Sequence, residues 1–456
     1  MPASTPRLQS PCPLPRRAFL SAAAAAAGGL ALACVDRATG VAMLPPLTAS
    51  RLPDPEASGI EHVVLVMMEN RSFDHFLGWL PGANGRQAGL TYIDSAGTGH
   101  ATYPLAPDFQ GCGHADPDHS YEGGRVEYDG GACDGWLRAN DIFSIGYYQA
   151  DDLPFLGRAV PQWTSFDRYF CAIMAPTFPN RVYQHAGQTD RISNTLDLST
   201  LPTIWDRLAA RGLEGRYYFG DVPALAFWGA KYVPISRPSD AFFADCAAGT
   251  LPQVAYVDPP FLGEATGTGP DDHPFNDVRA GEAFLNRIYA AVTASPAWEH
   301  TVLFINFDEW GGFFDHVPPP AAPIPEADRV AGNADGLRGF RTPALLISPF
   351  ARRARTSHHL YDHTSLLRLI EWRWSLEPLT VRDRTAHNLA RELDFAQPLL
   401  AAPEYAVPPV IPTPCPARPV AIATTAPPSA ALIRSRGSRL HWEALRDVAQ
   451  HRGWGV

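Results

Sequence analysis

The chain has 456 residues, 46% of them apolar, which is enough to bury a large core in one α/β domain with insertions or in two domains. Its net charge of -10 leaves no basic footprint, which argues against nucleic acid as a partner. The 45 prolines and 37 glycines predict long, shaped loops over a compact core.

In chain order, the first segment is a targeting sequence. PRRAFLSAAAAAAGGLALAC pairs Arg16 and Arg17 with an alanine-rich run too short for a membrane span. It resembles a bacterial Tat signal with an A-x-A cleavage site near Ala33, so the Tat export machinery is an expected partner. Residues 1–33 are therefore read as a signal peptide and the protein as periplasmic or extracellular, with a lipoprotein anchored through Cys34 as the alternative. Residues 34–58 form a Pro-rich leader, 59–400 the main domain, and 401–456 a Pro/Ala-rich tail ending in the helical pattern HWEALRDVAQHRGW.

Within the main domain, strand-like segments are predicted at 60–68, 163–171, 214–220, 253–257, 301–307 and 342–348. Amphipathic helices lie between them. In NDVRAGEAFLNRIYAAVTAS, Val278, Leu285, Ile288 and Val292 share one face. In DHTSLLRLIEWRW, Asp362 or Thr364 is the expected N-cap. Alternating strands and helices predict an α/β fold whose mainly parallel sheet is covered by helices on both faces. Residues 79–140, rich in Gly, Asp and His, read as an irregular excursion over the site.

The residues with chemical potential sit at strand ends. Glu69 and Asn70 follow the apolar run HVVLVMM directly, and Asp308 and Glu309 follow TVLFINF in the same way. Open α/β sheets build their sites at such carboxyl edges. Thr177 in MAPTFPNRVYQHAGQTD stands at a predicted helix start with Pro179 in the first turn, where unpaired backbone N–H groups and the helix dipole favour an alkoxide or a phosphoryl oxygen. Arg181, one turn on, offers a planar fork for phosphate. Loop histidines His114, His119, His273 and His316 lie beside Asp or Gly and suit metal ligation or proton donation. The carboxylates, amide and hydroxyl together suit a divalent cation, with calcium, magnesium, manganese and zinc all permitted.

The segments ENRSFDHFLG, APTFPNR, DDHP, FDEWGGFFDHVPPP and YDHTSLLRLIEW, in this order over residues 60–374, resemble the conserved blocks of the bacterial phosphoesterase family. That family holds phospholipases C of the non-haemolytic type and acid phosphatase A, and is similar in fold to the alkaline phosphatase superfamily. The resemblance implies metal-site roles for Glu69, Asn70, Thr177, Asp308 and Glu309, with Asn70 also on the phosphate. It implies a nucleophile's role for Thr177 and places around the phosphate for His114, His273 and His316, with His119 as the alternative to His114. The acid phosphatase branch carries serine at the position of Thr177, so threonine points to the phospholipase branch. The expected reaction is metal-dependent hydrolysis of a phospholipid or other phosphodiester through a phosphothreonine intermediate. The alternatives are a phosphomonoesterase, a sulfatase, disfavoured because threonine at 177 cannot yield a formylglycine, and an inactive secreted binding protein.

Seven cysteines without C-x-x-C spacing argue against a zinc knuckle. Cys112 and Cys133, bracketing a Gly-rich loop, are the disulfide pair to test first, and Cys171 reads as a buried small hydrophobe. Trp136, Tyr147, Tyr148 and Trp163 are candidates for an aromatic cage around a choline cation, although Trp163 reads as core.

Overall fold

HVVLVMM forms strand β1 (His62–Met68), buried along all but its first residue. This is the pattern of a central strand covered on both faces. In the computed structural model, residues 52–416 and 441–456 are described; the predicted signal peptide, the leader as far as residue 51 and residues 417–440 lie outside them. Seven further strands complete one sheet: β2 (Thr164–Phe166), β3 (Gly215–Phe219), β4 (Ser236–Pro238), β5 (Val254–Val257), β6 (Thr301–Phe307), β7 (Ala344–Ile347) and β8 (Arg355–Ser357). Their spatial order is β8-β2-β7-β6-β1-β5-β3-β4. All neighbours run parallel except β7, which is antiparallel to both β6 and β2. The predicted mainly parallel α/β sheet is the observed one.

The expected strand over 163–171 is split. After β2 the chain breaks at Asp167, whose carboxylate accepts the Asn84 N–H at 2.7 Å, and Tyr169–Phe170 then pairs with Tyr361–Asp362 in a separate two-stranded sheet.

The helices that begin at Phe73, Val278 and His363 start where side chains cap them. In α1 (Phe73–Leu77), Ser72 accepts from the His75 N–H, and Phe73 and Phe76 are fully buried, as their apolar character predicts. Helix α2 (Thr177–Ala186) is buried at every position and begins at Thr177 itself, with Pro176 as its N-cap. Asp277 caps α3 (Val278–Thr293), where Val278, Leu285, Ile288 and Val292 all face the core. Asp362 caps α4 (His363–Trp374) in a reciprocal box with Ser365. The tail helix α5 (His441–His451) docks: Trp442, Leu445 and Ala449 join the main core. No helix among the described residues is long and apolar enough to cross a membrane.

The excursion over 79–140 is tied down by a second, smaller core. Trp136, Cys133 and Tyr147 pack there against Trp310 and Phe314, which follow the acidic pair of β6. The expected aromatic cage is thereby excluded, because Trp136, Tyr147, Tyr148 and Trp163 are all consumed by core packing. The expected disulfide is also corrected. Cys112 bonds to Cys415, while Cys133 is a free buried thiol in the smaller core. Gln110 shows why: its amide donates to the carbonyls of Gly267 and Thr413, drawing the tail alongside the loop that carries Cys112. Cys171 is buried and free, as expected.

Candidate active site

The register of the sheet builds the site. Met68 on β1 is paired with Phe307 on β6, so the residues that follow, Glu69 and Asp308, emerge side by side at the carboxyl edge. On the other flank, Val66 of β1 is paired with Val257 of β5, and Asp258 follows. Three adjacent strand ends thus deliver three acids to one edge, where the switch in an open α/β sheet puts its crevice. The chain then turns sharply: Asn70 takes a left-handed backbone with φ 54°, and its N–H donates to Asp308 Oδ1 at 3.0 Å. Opposite it, Gly311 has φ 65°, and a Cβ there would stand 2.1 Å from the Asn70 carbonyl oxygen. Only glycine allows this close approach.

Thr177 is brought to the same place by α2. Its Oγ1 lies 3.3 Å from Glu69 Oε2 and 3.4 Å from Asn70 Oδ1, and its side chain is 4% exposed. Glu309 completes the group: its N–H donates to Asp308 Oδ1 at 2.7 Å and its Oε2 accepts from Gly311 N–H at 2.7 Å. All five residues expected at the metal therefore converge. His363, at the start of α4, contacts the Asp308 carbonyl through Nε2 at 2.7 Å; burial holds this imidazole down at about 4, so it supports the site as a neutral group.

Electrostatically the pocket is overloaded with acid. Glu69, Asp258, Glu264, Asp271, Asp308 and Glu309 are all buried. Burial first, then repulsion from Asp308, pushes both Glu69 and Glu309 well above the carboxylate range, and burial raises Asp271 to about 8. Asp308 Oδ2, Glu309 Oε1, Glu264 Oε1 and Asp271 Oδ2 have no hydrogen-bond partner among the described residues. Buried, unsatisfied carboxylate oxygens at this density fit a bound divalent cation.

Arg181 occupies a different role from the expected one. Its guanidinium meets Glu69 Oε1 at 2.6 Å, Asp258 Oδ1 at 2.9 Å and Asp308 Oδ2 at 3.7 Å, and it is 1% exposed. The fork is occupied by the three strand-end acids.

The histidines separate into three environments. His114 contacts Asp141 at 3.3 Å and stacks on Phe143, so it stands with the rim of the excursion. His119, the alternative, faces the site: its Nε2 lies 3.4 Å from Asn70 Nδ2 and 3.9 Å from Glu309 Oε1. Its Nδ1 is held at 2.8 Å by the Pro117 carbonyl, which fixes the proton on Nδ1 in the neutral ring and leaves Nε2 turned to Asn70 and Glu309. His273 stands beside it, with ring centroids 6.0 Å apart. Asp116, His119 and His273 offer ligand-type atoms within 4.8 Å of one another. Asp116 was not anticipated from the sequence, although its place in GCGHADPDHS, three residues before His119, was available as a signal.

His316 is the third case, and a correction. It belongs to a separate knot with Asp74, Asp315 and Arg341. Asp74 bonds the His316 ring and backbone N–H, the Arg86 N–H and Arg341, while Asp315 bonds Arg341 and the Val317 N–H. All four carboxylate oxygens are occupied and the charge is offset by the buried arginine, so this knot braces the turn after β6.

A model of the Phosphoesterase family matches residues 60–377. Phospholipase C B of Mycobacterium tuberculosis is 31% identical, over 84% of this chain and 86% of its own. Non-specific phospholipase C1 of Arabidopsis thaliana is 28% identical over 74% of this chain and 71% of its own. Non-hemolytic phospholipase C of Pseudomonas aeruginosa is 28% identical over 81% and 63%. Among solved structures, the lipoteichoic acid synthase LtaP of Listeria monocytogenes overlaps 90% of this chain and 97% of its own with a TM-score of 0.41 and 8% identity, too loosely to argue from.

Proposed function

The chain belongs to the phosphoesterase family, and from that membership and the geometry of its site we propose that it is an exported, metal-dependent phospholipase C-type enzyme that cleaves a phosphodiester through a phosphothreonine intermediate. It is a hydrolase of phosphoric ester bonds. The observation that carries the finer reading is the hydroxyl of Thr177, at the first position of a buried helix, within 3.3–3.4 Å of Glu69 and Asn70 and beside carboxylate oxygens that have no hydrogen-bond partner among the described residues.

A divalent cation held by Glu69, Asn70, Thr177, Asp308 and Glu309 would offset the charge of the phosphoryl oxygens when bound. Thr177 Oγ1 passes its proton to Glu69 Oε2, 3.3 Å away, and attacks phosphorus in line while the bond to the leaving alcohol breaks. Protonated His119 gives the proton on Nε2 to that alcohol, with His273 beside it. At the start of α2 the Phe178 N–H is held by Asn194 Oδ1 and Pro179 has none, which leaves the Thr177 N–H to meet a phosphoryl oxygen. Water then hydrolyses the phosphothreonine and releases the phosphorylated head group. A choline-type head group is not favoured by an aromatic cage, since the expected aromatics are buried. We retain residues 59–400 as the catalytic domain and 401–456 as the tail, and export by the Tat route as part of the reading.

Thr177→Ala tests it. Hydrolysis of p-nitrophenyl phosphorylcholine and p-nitrophenyl phosphate is measured side by side, with and without chelator. Turnover of the diester is expected to fall by on the order of 10⁴-fold or more with the melting temperature preserved. A folded variant with near wild-type turnover sinks the covalent scheme. Faster turnover of the monoester by the wild type assigns the phosphomonoesterase reading instead.

A further inference from the structure

The tail helix α5 lies outside residues 60–377, the stretch matched by the family model, yet it reaches the catalytic helix. His441 Nδ1 stands 3.2 Å from the side-chain nitrogen of Asn194, and Asn194 Oδ1 in turn accepts the N–H of Phe178 at 2.8 Å. Phe178 is the residue after Thr177, and its ring centroid is 5.7 Å from that of His441. The helix is seated firmly there: Trp442 stacks on Phe261 with centroids 3.9 Å apart and planes 3° apart.

The hydrogen-bond polarity fixes the tautomer. Because Asn194 Oδ1 is taken by a backbone N–H, its NH₂ group must donate, so His441 Nδ1 is the acceptor and the neutral ring carries its proton on Nε2. Burial, with the imidazoles of His119 and His273 close by, holds His441 down at about 4, so near neutral pH it is an uncharged donor. Among the described residues no protein group takes Nε2.

We propose that His441 is a substrate-binding residue, donating its Nε2–H to a phosphoryl oxygen of the ester held at Thr177, and that α5 is thereby one wall of the active site. The inference rests on the reading of Thr177 as the reaction centre. It gives the pocket three imidazoles with different tasks: His119 exchanges a proton, His273 stands beside it, and His441 donates a fixed hydrogen bond.

The test uses the full chain with His441→Ala and His441→Gln. Inorganic phosphate binding is measured by calorimetry, and KM and kcat with p-nitrophenyl phosphorylcholine. His441→Ala is expected to weaken phosphate about ten-fold and to raise KM comparably, with kcat within about two-fold, whereas His441→Gln, which keeps an N–H donor, recovers part of the loss. A helix that serves packing alone predicts a lower melting temperature with unchanged phosphate affinity and KM, and that result overturns the proposal. If His441→Ala does not fold, the His441 imidazole resonances of the wild type are followed during phosphate titration. A shift supports the contact and no shift refutes it. A wild type that binds phosphate through His441 but turns over no phosphoester defeats the catalytic reading while leaving this site in place.

Discussion

Arg181→Met removes the guanidinium that joins the ends of β1, β5 and β6. The arginine contacts Glu69 at 2.6 Å and Asp258 at 2.9 Å, with Asp308 at 3.7 Å, all away from solvent. Removing one partner of a buried ion pair costs about 3–5 kcal/mol, because the remaining charge is stranded. The cost must depend on pH. Glu69 and Asp258 are already raised by burial and lowered by Arg181, so without the arginine their folded values rise further. An acid whose folded pKa is raised contributes stability at low pH that is lost as pH climbs through the gap between its unfolded and folded values. The penalty is therefore expected to approach its full size at pH 8 and to shrink toward pH 5. Urea unfolding at both pH values, in chelator, reads it, and KM for a diester is taken in parallel. A variant within about 1 kcal/mol of wild type at pH 8 that shows only a raised KM would mean that Arg181 binds substrate after all, and the structural assignment would be wrong.

Three further outcomes are expected. His119→Asn lowers kcat by about 10²–10⁴-fold while His114→Asn stays near wild type; equal losses would reinstate His114 at the site. Gly311→Ala, with its Cβ forced to 2.1 Å from the Asn70 carbonyl at φ 65°, displaces Asn70 and weakens metal binding about 10–100-fold in a metal titration; unchanged affinity refutes the close-approach argument. Glu282 is pushed up to about 8 by burial while accepting the N–H groups of Phe155 and Leu156 at 2.6 and 2.7 Å. Its contribution is present below pH 4.5 and lost as pH rises to about 8, so Glu282→Gln should flatten the fall in melting temperature across that window.

The residues at strand ends were legible because their signal is local: an acid abutting an apolar run declares both the strand and its functional edge. Glu69, Asn70, Asp308 and Glu309 were singled out in this way, and Thr177 by the helix start that Pro179 marks. Helix faces and caps, such as Val278 to Val292 and Asp362, were equally local. What the sequence hid depends on long-range partners. Arg181 looks like an anion fork until Asp258, 77 residues away, is seen to take it. His316 and His114 share a composition with His119 and differ only in what the fold sets opposite them. Cys112 has a near neighbour in Cys133 and a true partner 303 residues distant. His441, 264 positions beyond Thr177 by subtraction of their numbers, carried no motif at all.

The Cys112–Cys415 bond closes a ring that contains Thr177, Asp308, Glu309, His119 and His273, with Glu69 and Asn70 outside it, and its closure comes late. During synthesis Cys112 is made early and waits as a lone thiol until residue 415 exists, by which time β1 to β8 and every acid at the sheet edge have been completed. The bond therefore reports that the sheet and its edge acids have been made, although α5 follows it. A chain broken or terminated before 415 keeps an unpaired thiol at the loop preceding Asp116 and His119, open to oxidation or to pairing with another chain. In an oxidising compartment, the covalent staple distinguishes chains that extend past residue 415 from shorter fragments before any substrate is met.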